Sequence, residues 1–100
     1  MDLGLSGKVA IVTGASRGIG RAIAQTLAAE GMRISAAARS KDQLDDLATS
    51  LGTDCLVQAV DLRTMDAAEA VVEATVATFG RIDLVVNSLR MRPDRIIVGE

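Results

Sequence analysis

Histidine, tryptophan and tyrosine are absent from this 100-residue chain, and phenylalanine, cysteine and proline occur once each. Each absence removes some chemistry. Without His the commonest general base is gone. With Cys55 as the lone cysteine there is no intrachain disulfide, and with no His beside it no zinc site is expected. Base-stacking aromatics are missing and the formal net charge is −2, so nucleic acid is not an expected partner. Met1-Asp2 lacks the basic start of a secretory signal, and the first apolar run, Val9-Ala10-Ile11-Val12, is too short to cross a bilayer. The expectation is a cytoplasmic protein with no membrane partner.

What is present is aliphatic. Hydrophobic residues make up 49% of the chain and are mostly Ala, Val, Ile and Leu, a composition suited to a parallel sheet covered on both faces by Ala-rich helices. The periodicity alternates strand and helix. Residues 8–12 read as a strand, 18–30 as a helix closed by Gly31, and 32–37 as a second strand. Ser40-Lys41-Asp42-Gln43 has capping-box spacing and opens a helix with Leu44, Leu47 and Leu51 on one face, ending near Gly52.

Residues 55–60 read as a third strand, with Cys55 a small core residue. Thr64 is placed to cap a helix over 65–79, where Ala68, Val71, Val72, Thr75, Val76 and Phe79 form a stripe expected to face the sheet; Gly80 ends it. Residues 82–86 read as a fourth strand. The acids Asp42, Asp45 and Asp46 are expected on a solvated helix face, Asp42 also suiting the positive end of the helix dipole. A βαβαβαβ order predicts an α/β fold: a Rossmann-type, doubly wound parallel sheet, its first half, with strand order 3-2-1-4 and right-handed crossovers. A half-domain over residues 1–88 is followed, over 89–100, by an irregular basic tail bearing Arg90, Arg92 and Arg95, or by the start of a second half.

Thr13-Gly14-Ala15-Ser16-Arg17-Gly18-Ile19-Gly20 joins the first strand to the first helix. A helix start presents unpaired N–H groups and the positive end of the helix dipole, and glycines let an anion approach them closely. The stretch reads as a pyrophosphate site for a dinucleotide. Gly14 makes the turn, Gly18 admits the pyrophosphate, Gly20 brings the helix close to the sheet, and Ser16 is a hydroxyl donor; Ile19 lies within the same loop. A P-loop is set aside, because Arg21 stands where that motif requires Lys. At the end of the second strand, Ala36-Ala37-Ala38-Arg39-Ser40 carries no acid for a ribose 2′-OH. Arg39 is instead suited to a 2′-phosphate through charge-assisted hydrogen bonds, with Arg17 as a second candidate, which points to NADP(H) over NAD(H). Ser40 is either a helix cap or a phosphate donor.

These residues resemble the short-chain dehydrogenase/reductase family. The resemblance spans about positions 5–88 and rests on Thr13-Gly14-x-x-x-Gly18-x-Gly20, on Asp61-Leu62 and on Ile82-Asp83-Leu84-Val85-Val86-Asn87, in order and at family spacing. It implies that Asp61 bonds the adenine amino group with Leu62 beside the ring, that Asn87 buttresses the central sheet near the cofactor ribose, and that Arg39 is the basic position of NADP-preferring members. After Asn87 the chain reads Ser88-Leu89-Arg90 where the family has Asn-Ala-Gly, and the family's catalytic Ser, Tyr-x-x-x-Lys and further Asn lie beyond this point. Lys8 and Lys41 are the only lysines, so no catalytic residue is assigned.

The implied function is an NADP(H)-dependent oxidoreductase acting on a carbonyl/alcohol substrate, present here as an amino-terminal portion and expected to be a homo-oligomer. The alternatives are a non-catalytic NADP(H)-binding module or an interaction fragment joined through an exposed sheet edge.

Overall fold

The computed structural model describes residues 4–87. Four strands and three helices alternate along the chain: β1 (Val9–Thr13), α1 (Gly18–Ala29), β2 (Arg33–Ala38), α2 (Lys41–Leu51), β3 (Cys55–Ala59), α3 (Met65–Phe79) and β4 (Leu84–Asn87). The sheet is parallel in order β3-β2-β1-β4, as the alternation predicts. It is a Rossmann-type arrangement. β1 and β2 lie in the middle and are almost wholly buried, which is why they read as unbroken apolar runs.

Small residues decide how the first helix lies on the sheet. Gly20, Ala24 and Ala28 recur every fourth position and are the buried residues of α1. They bring its backbone down onto a core of Ala10, Val12, Ile34 and Ala36, to which α2 adds Leu44 and Leu47. On the opposite face α3 contributes far less: Ile11, Ala37 and Val71 form the buried cluster there, with Val60, Leu62 and Ile82 against it.

Polar groups complete this second interface. Gln58 Nε2 donates to Ser35 Oγ (2.9 Å) and to the Val71 carbonyl (3.1 Å), and the fully buried Thr75 and Ser35 hydroxyls are joined at 2.7 Å. Among the described residues no buried side-chain nitrogen or oxygen lacks a partner.

The structure revises several details of the sequence reading. The apolar stripe of α3 is not all core. Val71 and Thr75 are buried, whereas Ala68 is exposed and Val72 and Val76 are 46% and 47% exposed. The stripe is wider than the sheet it meets, and its outer side forms a surface groove lined by Ala68, Glu69, Val72 and Glu73. Cys55 is only partly buried because β3 is an edge strand. β4 starts at Leu84 rather than at 82, since the Asp83 carboxylate takes the Val9 N–H (2.8 Å) while the Asp83 N–H donates to the Val9 carbonyl (2.9 Å).

The acids of α2 are exposed, as expected, and two of them are paired: Asp45 with Lys41, and Asp46 with Arg21 of α1. Among the described residues no helix is long and apolar enough to cross a membrane. The basic residues Arg90, Arg92 and Arg95 lie outside the described residues.

Candidate functional site

Gly14 and Gly18 both take φ of +64°, a left-handed conformation that L side chains rarely adopt. At Gly18 nothing lies within 4 Å of where a Cβ would project, so the approach to the start of α1 is open. Between them Ala15 is fully buried and its N–H donates to the Ala37 carbonyl (3.3 Å), tying the turn to the end of β2. Arg17 is the N-cap residue of α1. Its side chain makes no capping bond, and the first turn holds no acid.

The other two helices begin differently. Ser40 Oγ accepts from the Gln43 N–H at 3.3 Å and Thr64 Oγ1 accepts from the Ala67 N–H at 3.2 Å, with Asp42 and Asp66 in the respective first turns. Ser40 therefore acts as the helix cap in this structure. The start of α1, with no side-chain cap and no acid in its first turn, follows a glycine-rich turn, which fits an anionic diphosphate. Ser16 is half-buried in this turn, Arg17 and Gly18 are exposed, and Ile19 is 75% exposed.

β2 and β3 end side by side. Ala38 pairs with Ala59, and the Val60 N–H continues the ladder to the Ala38 carbonyl at 2.8 Å. Arg39 leaves one strand end and is exposed; Asp61 lies just past the other. Among the described residues Arg39 forms no ion pair. Asp61 is held by Arg63. Oδ1 accepts from the Arg63 backbone N–H (3.1 Å) and from Nε (3.0 Å), and Oδ2 accepts from Nη2 (2.8 Å). These bonds lower the Asp61 carboxyl to a pKa of about 2, and the charge of Arg39 acts in the same direction. Leu62 packs on the Ile11–Ala37–Val71 cluster.

The end of β4 lies across β1 from these groups. Thr13 pairs with Asn87 in the parallel ladder, and Thr13 Oγ1 donates to Asn87 Oδ1 at 3.0 Å. The exposed Asn87 is thus fixed from the strand that enters the glycine turn.

Gly14, Ser16, Arg17, Gly18, Ile19, Gly20, Arg39, Ser40, Asp61, Leu62 and Asn87 all follow or end strands that point the same way, so the fold gathers them at the carboxyl edge of the sheet. In open α/β sheets that edge is where ligands bind. Thr13 and Ala15, which the sequence reading placed in the glycine stretch without a role of their own, and Arg63, which it did not single out, belong to the same region. The Asp-Leu-Arg spacing is the signal for Arg63, since an Asp readily accepts from the N–H two residues on. Burial pushes the Cys55 thiol up to about 11, which keeps it protonated and suits a packing role. Among the described residues no group of three His, Cys, Asp or Glu side chains is placed to hold a metal ion.

Comparison with known proteins identifies the lineage. The family model described as short chain dehydrogenase matches residues 8–94. The chain belongs to the short chain dehydrogenase family. It is 36% identical over 96 residues to the 3-oxoacyl-(acyl-carrier-protein) reductase of Escherichia coli K12, covering 96% of this chain and 39% of that protein. The chain thus spans about two-fifths of the length of this curated relative.

Among solved structures, L-sorbose reductase from Gluconobacter frateurii, complexed with NADPH and L-sorbose, superposes with a TM-score of 0.84 at 43% identity, over 91% of this chain and 36% of the reductase. The 3-ketoacyl-(acyl-carrier-protein) reductase of Brucella melitensis, complexed with NADH, gives a TM-score of 0.77 at 33% identity, over 81% of this chain and 33% of that one.

Proposed function

We propose that these residues form the cofactor-binding portion of an NADP(H)-dependent oxidoreductase acting on a carbonyl/alcohol substrate. The observation that carries the reading is the pairing of an open, acid-free start of α1 with an exposed Arg39 that forms no ion pair among the described residues, and no carboxylate, at the end of β2. When bound, the nicotinamide would supply or accept the hydride, and the protein's share is binding and orientation.

Each residue has a definite part. Gly14 and Gly18 keep the turn free of side chains, and Gly20 seats α1 low on the sheet so that its N–H groups meet the pyrophosphate; Ser16 adds a hydroxyl donor. Ile19 extends the loop alongside the phosphates. Arg39 binds the 2′-phosphate through its guanidinium fork, with Arg17 as a second cation. Ser40 caps α2 beside that phosphate. Asp61 accepts from the adenine amino group, Leu62 lines the ring, and Asn87, set by Thr13, stands toward the ribose of the nicotinamide half.

Two observations on relatives bear on the cofactor: one similar reductase is complexed with NADPH and another with NADH. The absence of an acid at residues 36–40 favours the phosphorylated form here. Titration of the protein with NADPH and NADH tests this directly. Tighter NADPH binding is expected, and equal affinity or an NADH preference overturns the proposal.

A second reading rests on a separate observation. β4 is an edge strand of the described sheet whose Leu84 and Val85 are 40% and 57% exposed, and Val72 and Val76 of α3 are exposed as well. Edges and apolar patches of this kind favour association with another chain, so self-association through this face is expected. A monodisperse monomer in sedimentation velocity argues against it.

A further inference from the structure

We propose that Arg63 sets the cofactor preference by neutralising Asp61, so that a 2′-phosphate beside Arg39 does not meet a bare carboxylate. The inference rests on the reading of the β2 and β3 ends as the site for the adenosine half. The parallel register brings Arg39 and Asp61 out of adjacent strand ends, one residue beyond the Ala38–Ala59 pair and two beyond it respectively. A carboxylate in that position suits an adenine amino group but repels a 2′-phosphate, which is close to dianionic at neutral pH.

The structure holds a remedy. The Arg63 guanidinium meets the carboxylate through both Nε and Nη2, at 3.0 and 2.8 Å, and the Arg63 backbone N–H adds a third bond at 3.1 Å. The fork cancels the unit charge where it stands and fixes the carboxylate plane, with Nε also 3.2 Å from Oδ2. Arg63 itself is 78% exposed at its side chain and supports no packing. It is therefore a positioning residue that acts through Asp61, and it leaves Arg39 as the cation for the phosphate.

The test compares two probes that differ only in the 2′-phosphate, adenosine 2′,5′-bisphosphate and AMP, by isothermal titration calorimetry. Intrinsic fluorescence is of no use, since the chain has no Trp or Tyr. The wild-type protein is expected to prefer the bisphosphate. Arg63→Gln should reduce that preference about three- to tenfold at low salt, with less effect at high salt, because the charges are exposed and screened. In an Asp61→Asn background the same Arg63→Gln change should alter the preference by less than about twofold, since no charge is left to neutralise. Arg63→Lys, which keeps the charge without the fork, should fall between.

An independent readout is the Asp61 carboxyl in NMR titration, expected to rise from about 2 towards the ordinary carboxylate range in Arg63→Gln. The inference is overturned if Arg63→Gln weakens both probes equally, or if its effect persists undiminished with Asn at position 61. A wild-type protein that does not distinguish the probes overturns the NADP(H) reading instead; if Arg63→Gln then leaves the ratio unchanged, both fall.

Discussion

α2 and α3 begin with a hydroxyl that closes on the third residue of the helix and an acid in the first turn, whereas α1 begins with Arg17, which closes on nothing. All three starts have the same surplus of N–H groups. In α2 and α3 the chain meets that surplus with its own side chains. In α1 no side chain caps it, and glycines of positive φ stand before the helix (Gly14) and at its first position (Gly18). The contrast separates a helix start built for stability from one left available to an outside anion. It also explains why the stabilising contacts of α1 lie elsewhere, in the Gly20–Ala24–Ala28 strip against the sheet and in the Arg21–Asp46 ion pair with α2.

The contrast can be broken or sharpened by substitution. Gly18→Val should do the most damage. A β-branched residue at φ +64° costs about 1–3 kcal/mol of stability and fills the approach to α1, so dinucleotide affinity should drop by about tenfold or more in calorimetric titration. Arg39→Ala should lower the NADPH-over-NADH preference about ten- to hundredfold, as expected for charge-assisted bonds worth roughly 1.5–3 kcal/mol, with thermal stability unchanged.

Ser40→Ala and Thr64→Ala should each cost about 1 kcal/mol in urea unfolding, while Arg17→Ala should stay within about 0.5 kcal/mol, because only the first two remove a cap. Ile19→Asp should separate the two roles most sharply: an acid in the open first turn should stabilise the fold by about 0.3–1 kcal/mol and weaken dinucleotide binding. An equal fall in both would show that the start of α1 is not an anion site. The smallest effect concerns pH. The Asp61 carboxyl is lowered from 3.8 to about 2 in the folded chain, so its contribution is present above about pH 4 and lost as pH falls through 2. The melting-temperature gap between wild type and Asp61→Asn should therefore close between pH 5 and pH 2.

Much of this was legible in the residues. The strand–helix alternation, the caps Ser40 and Thr64, the helix-ending Gly31, Gly52 and Gly80, and the order β3-β2-β1-β4 follow from periodicity and local chemistry acting over a few residues. The α3 stripe was less legible. Apolar spacing of 3 and 4 marks a broad face, but how much of that face meets the sheet depends on which strands lie under it, so Val71 and Thr75 are buried while Val72 and Val76 are not. The start of β4 was misplaced for a similar reason: Asp83 reads as strand by position, yet its carboxylate replaces a ladder bond to Val9, a partner 74 residues away.

The candidate site divides along the same line. Residue type and short spacing determined that a glycine turn opens a helix, that no acid follows the second strand, and that Arg39 stands there, because turn conformation and helix capping depend on immediate neighbours. Only the tertiary structure decided which strand ends lie together, and with them the Thr13–Asn87 bond, the closeness of Arg39 to Asp61, and the part that Arg63 plays between them. Those relations depend on strand register and sheet order, which bring residues distant in the chain to one edge.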